Sequence, residues 1–172
     1  VNLLEENKVP LKGILSVSTL LQSYVKTLPD ISEQALFVTM QSVSGLRQTF
    51  FENKELKISR LTKLPRYGTE PYAPRVISEV DKIQRYLNSL RLIPTDKLLD
   101  VYIIADKALH DALDKEKSSI SMVKLHYLDI DRLKEDQKIE LKQNTPFIDQ
   151  VLIAHLLAAQ PANCYASAEE MR

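Results

Sequence analysis

His110, His126 and His155 are the only histidines in the chain, and none stands at a metal-ligand spacing from another or from Cys164. There is no HExxH and no Cys/His pair of the zinc-site type. His155 lies among Leu152, Ala154, Leu156 and Leu157, the setting of a partly buried histidine bonded to a neighbour rather than of a ligand. His126 sits within a strand-like run and reads the same way. His110 and Asp111 are adjacent, and neighbours at i, i+1 on a helix do not face each other. Two-metal phosphoryl chemistry needs several carboxylates gathered on one sheet. Asp100 and Asp106 flank one apolar run, only Asp106 is well placed, and a single carboxylate cannot perform that chemistry. Ser16, Ser18 and Ser44 lie near turns, outside any GxSxG elbow. Ser18 reads as a helix cap and Ser44 as turn chemistry. Cys164 has no histidine near it in sequence and reads as an incidental thiol. No catalytic, metal-binding or cofactor-binding residue emerges, and no cofactor is expected.

Charge and aromatic placement say more. Arg47, Lys54, Lys57, Arg60, Lys63 and Arg66 outnumber Glu52 and Glu55 over one stretch. Lysines along a strand discourage edge-to-edge pairing, so a solvated edge is the first reading of the cluster. The alternative is a docking surface for an acidic partner or for anionic lipid. Nucleic acid is not expected, because few aromatic residues are interleaved with the charges. Lys57 and Arg60 point to opposite faces if their strand is regular. Tyr67 and Tyr72 stand in the stretch "PRYGTEPYAP", where Pro71 and Pro74 stiffen the chain. Exposed aromatics on a stiff loop anchor interfaces at little entropic cost; alternatively both rings fold back over the sheet. Arg47, Lys57, Arg60, Tyr67 and Tyr72 form the candidate interaction surface.

The elements that must carry these residues fit one domain. The chain has 172 residues, 44% hydrophobic and 27% charged, enough for a substantial core. Twenty-three basic residues balance twenty-three acidic ones, so there is no global pull toward nucleic acid or anionic membrane. One cysteine excludes an internal disulfide and fits a reducing compartment. No run approaches the roughly 18 apolar residues of a membrane helix, and no signal-peptide pattern opens the chain. The opening "VNLLEENKVPLKGIL" reads as entering midway through an amphipathic helix, so a longer parent is expected. In that division, 1–34 is a helical lead-in, 35–160 the domain and 161–172 a linker.

Leu20, Leu21, Tyr24, Val25 and Leu28 give one helical face within 13–28. Strands are expected at Ala35–Met40, Leu46–Phe51 and Leu56–Leu61, with Leu56 and Ile58 opposed by Lys57 and Ser59. The short spacers make this an antiparallel meander. After the proline-rich loop, Val76, Val80, Ile83, Leu87 and Leu90 predict a helix from Pro74 to about Leu90. "LLDVYIIA" (98–105) reads as a central strand buried on both faces. A helix near 107–115, a strand at 120–128, a short helix behind Asp129 or Asp131 and a helix over 146–160 follow. The order is β-β-β-α-β-α-β-α after an N-terminal helix: α/β, with a mixed sheet.

That order is the signature of the ribonuclease H-like architecture, which also forms each half of the actin-like ATPases. The stretch "TFFENKELKISRL" resembles the hairpin of two actin-like proteins of bacterial envelope machines. These are the cytoplasmic actin-like component of type IV pilus assembly and the cytoplasmic domain of the type II secretion L protein. The resemblance covers roughly 35–160 and implies a cytoplasmic domain at the inner face of the inner membrane, reached through the parent. It also implies protein partners in a membrane-associated assembly. Active members carry an Asp-x-Gly turn between the first two strands, where this chain has "TMQSVSGLRQT". They carry a glycine-rich turn near the adenosine, where this chain has "DKALHD". "ALFVTMQ" also lacks the first-strand carboxylate of the nucleases. The expectation is a non-catalytic scaffold domain. The alternatives are a nucleotide-binding subdomain completed by parent residues, and a metal-dependent nuclease.

Overall fold

A computed structural model describes residues 6–7, 14–116, 120–138 and 146–159. Among them are five strands and five helices: α1 (Val17–Thr27), β1 (Gln34–Gln41), β2 (Gly45–Glu52), β3 (Glu55–Thr62), α2 (Tyr72–Ser89), β4 (Leu99–Ala105), α3 (Lys107–Glu116), β5 (Val123–Asp129), α4 (Ile130–Asp136) and α5 (Asp149–Ala159). The strands form one open mixed sheet in the order β3-β2-β1-β4-β5. β1, β2 and β3 pair antiparallel, whereas β1 pairs parallel with β4 and β4 with β5. The meander and the central strand are thus as expected. β4 is buried on both faces apart from Asp100, which is why its sequence runs apolar without alternation.

Two apolar layers sandwich the sheet. On one face Leu36, Val38, Met40, Leu46 and Phe50 meet the Val76, Val80, Ile83 and Leu87 stripe of α2, with Leu109 and Leu113 of α3 beside them. On the other, Ala35, Phe37, Phe51, Tyr102 and Ile104 meet α1 through Leu21 and Val25, and α5 through Val151 and Leu152. Phe37 is fully buried. It stacks on Tyr102 at 5.0 Å and meets Phe51 edge-on at 5.6 Å.

Local departures from the expected pattern have physical causes. β3 is not a regular strand: Phe50 pairs with Ile58 but Phe51 with Leu56, leaving Lys57 as the extra residue of a β-bulge. The bulge rotates the chain, so Leu56 packs in the α1 layer while Ile58 packs in the α2 layer. The hairpin turn Asn53–Lys54 has φ of 53° and 61°, the mirror-image turn that matches strand twist. Ser16, not Ser18, caps α1 by accepting from the Thr19 N–H at 3.1 Å. Ser18 is two residues further in, buried, and donates to Ser59 Oγ at 2.9 Å. α2 begins at Tyr72, with Pro74 inside its first turn, where a missing N–H costs nothing. β5 starts only at Val123, because Met122 takes φ of 61°.

Candidate functional site

The C-terminal ends of β1 and β4 lie side by side where the strand order reverses, the usual crevice of an open α/β sheet. Here that crevice is occupied by the chain itself. The segment ahead of α5 does not begin the helix at Pro146. Instead Phe147 bridges to Met40 in parallel, and the Ile148 N–H donates to the Met40 carbonyl at 2.9 Å. One residue on, Asp149 Oδ2 accepts from the backbone N–H of Ser42 at 2.8 Å. Sequence reasoning missed this pair, since 107 residues separate the partners and nothing local in "PFIDQ" points to residue 42.

The β1–β2 turn, Ser42–Val43–Ser44, ends at Gly45 with φ of 103°. A Cβ there would collide with the Thr62 carbonyl oxygen and lie 3.0 Å from the Leu64 N. Glycine is therefore demanded by the close approach of the chain leaving β3. At the start of α3, Asp106 is buried and its Oδ1 accepts from the Leu109 N–H at 2.9 Å. The one well-placed carboxylate is a helix cap.

A cleft of about 750 Å³ opens beside the β1–β2 turn. It is lined by Ser42, Val43 and Ser44 of the turn and by Lys63, Arg66 and Tyr67 of the chain that leaves β3. Tyr67 meets Tyr72 edge-on at 5.7 Å and Phe147 at 5.4 Å. The two loop tyrosines behave differently. Tyr72 is buried and its hydroxyl donates to the Pro65 carbonyl at 2.7 Å, whereas Tyr67 is 48% exposed. Burial, then the Asp106 charge, raises the Tyr67 phenol above its ordinary value. Burial and then Tyr67 raise that of Tyr72, so both rings are neutral at physiological pH. Among the described residues, no Asp or Glu lines this cleft.

The five candidate surface residues do not form one surface. Arg47 lies on the α1 face, donating to Gln41 Oε1 at 3.0 Å, Ser18 Oγ at 3.0 Å and Ser59 Oγ at 3.1 Å. Burial pulls its guanidinium below the ordinary value. Arg60 lies on the α2 face, 3.3 Å from Glu79 Oε2. Lys57, at the bulge, pairs with Glu52 at 3.1 Å. Only Tyr67 and Tyr72 come together, at the cleft.

Glu79 of α2 is buried, its side chain 2% exposed. It accepts from Lys82 at 2.7 Å and Thr62 at 3.2 Å. Burial pushes its carboxyl up, but those bonds and the charges of Lys82 and Arg60 outweigh this and hold it below the ordinary value.

The histidines serve packing. His126 Nε2 lies 2.6 Å from Asp100 Oδ1 and its ring stacks on Tyr102 at 4.6 Å, at the end of the sheet away from the cleft. The Tyr102 hydroxyl in turn accepts from the Ser32 N–H at 3.1 Å. His110 stacks on Tyr127 at 4.7 Å, and burial lowers its basicity. His155 Nε2 shares a 2.9 Å hydrogen bond with Ser23 Oγ, tying α5 to α1. Among the described residues no cluster of three or more His, Cys, Asp or Glu is arranged to hold a metal ion. Cys164 lies outside the described residues. Among the described residues, no helix is long and apolar enough to cross a membrane.

No protein-family model matches the chain, and no curated protein matches it.

Proposed function

We propose that this chain is a protein-interaction domain on a ribonuclease H-like, actin-like sheet, a scaffold component of a pilus- or secretion-type assembly at the bacterial envelope. The observation that carries the reading is the Ser42–Asp149 hydrogen bond. In a nucleotide-binding relative, N–H groups of this turn would face phosphate. Here a carboxylate of the chain's own takes one, and a like charge beside it repels an anion. Asp106 does the same at the start of α3. The strand order β3-β2-β1-β4-β5, with β2 antiparallel to both neighbours, supports the fold family. The envelope setting rests on the hairpin "TFFENKELKISRL", which spans β2 and β3. In this setting the domain works at the cytoplasmic side of the inner membrane.

A second reading, a nucleotide-binding subdomain completed by residues outside this sequence, draws on the cleft, which runs along the same turn and carries Lys63 and Arg66. Calorimetric titration with ATP and Mg²⁺ separates the two. Absence of binding heat supports the scaffold. Saturable binding with a micromolar constant removes it and promotes the nucleotide reading.

A further inference from the structure

We propose that the cleft beside the β1–β2 turn is a docking groove for an acidic peptide segment of a partner protein, anchored by an apolar or aromatic side chain. This rests on the interaction-domain reading and names its site and its partner's chemistry. The volume, about 750 Å³, falls within the range of ligand-binding clefts and admits one or two large side chains. The Tyr72–Tyr67–Phe147 ring chain supplies an apolar aromatic wall. Around it the surface is unusually apolar for a turn region: Val43 is 96% exposed, Tyr67 48% and Leu61 45%.

Charge selects the occupant. Of the six cations of the meander and its exit, four are engaged: Arg47 with Gln41 and two serines, Lys54 with the Leu28 carbonyl, Lys57 with Glu52 and Arg60 with Glu79. Lys63 and Arg66 are exposed, and neither side chain has an ion-pair partner among the described residues. Both line the cleft, and among the described residues none that lines it is acidic; the nearby Asp106 and Asp149 each accept from a backbone N–H, of Leu109 and of Ser42. The acidic residues of such a segment therefore sit at the two uncompensated cations, Lys63 and Arg66, and its apolar anchor lies against the rings and Val43, away from the Ser42 N–H, where Asp149 repels an anion.

The groove is also braced. Thr69 Oγ1 and the Thr69 N–H both donate to the Arg66 carbonyl, at 2.6 and 3.1 Å, and Tyr72 holds Pro65. The loop backbone is thus ordered before binding, and the remaining ordering falls on the Lys63 and Arg66 side chains. A membrane surface fits less well. Anionic lipid is recognised by clusters of about four to eight cations on an accessible patch, and a concave site with two is not that.

The test is selection of random peptides displayed on phage against the immobilised chain, then fluorescence anisotropy of the enriched peptides. The expected consensus has acidic residues flanking an aromatic or branched apolar one. The double variant K63E/R66E should weaken its binding about tenfold or more, and added salt should weaken wild-type binding. Tyr67→Ser should weaken it as well. All three side chains are exposed, so thermal melts of both variants should match wild type. Enriched peptides that lack acidic residues, or that bind K63E/R66E unchanged, would overturn the groove while leaving an interaction domain with its site elsewhere. No enrichment overturns it too; binding to phosphatidylserine vesicles would then assign the cations to lipid, and binding of Mg·ATP would remove the interaction reading with it.

Discussion

Ser42 and Asp149, one at the tip of β1 and the other opening α5, are joined by an N–H···carboxylate hydrogen bond of 2.8 Å. With the Ile148–Met40 bond beside it, this contact carries the chain across the crevice at the ends of the parallel strands. The crevice is a structural junction, and the cleft lined by Lys63, Arg66 and Tyr67 lies beside the turn rather than within it.

Asp149→Ala removes the acceptor and also an acidic residue from the first turn of α5. The expected loss is about 1–2 kcal/mol of unfolding free energy. Urea denaturation measures it, and hydrogen exchange at the Ser42 amide should quicken in the same variant. An Asp149→Asn variant keeps an acceptor oxygen and should lose less.

Gly45→Ala places a Cβ against the Thr62 carbonyl oxygen at a φ that L-residues avoid. Neither the strand end nor the following chain can move away without breaking the β2–β3 pairing. Destabilisation of about 2–4 kcal/mol is expected, visible as a lowered melting temperature.

Acid stability should depend on Glu79. Its carboxyl is held low in the fold, so its contribution is present above the unfolded value near about 4.3 and lost as pH falls through the folded value. Glu79→Gln should cost about 1–3 kcal/mol at neutral pH and make little difference in strong acid. Thermal melts of both proteins across the acid range should converge as pH drops.

His155 sets a milder dependence nearer neutrality. Burial lowers its basicity, so protonation favours the unfolded chain, and stability falls as pH drops below the unfolded value of about 6.5. His155→Gln, which keeps a polar tip for Ser23, should flatten the melting temperature between mildly alkaline and mildly acidic buffer. A slope unchanged by the substitution would assign it to other groups.

The sequence made the sheet legible because its signals are local. β-branched and aromatic runs with short polar spacers dictate a meander, and the unalternating "LLDVYIIA" dictates a covered central strand. The 4, 3, 4, 3 spacing from Val76 to Leu90 predicts α2, although Leu90 itself proves exposed. The bulge at Lys57 was not legible, because its cause is a registration with β2 that no local pattern carries. The aromatic loop is legible in the sequence, but the contact of Tyr67 with Phe147, 80 residues downstream in number and at 5.4 Å in space, is not. Likewise the basic cluster is contiguous in sequence, and strand alternation already sets Lys57 and Arg60 apart. Strand pleating and Glu79 divide it between two faces and leave Lys63 and Arg66 at the cleft.

The most direct test is an NMR titration of the isotope-labelled chain with Mg·ATP, following the backbone amides of Ser42, Val43, Ser44 and Gly45. With the turn held by Asp149, those amides should keep their positions up to millimolar nucleotide. Saturable shifts centred on them would contradict the scaffold reading and return the turn to phosphate.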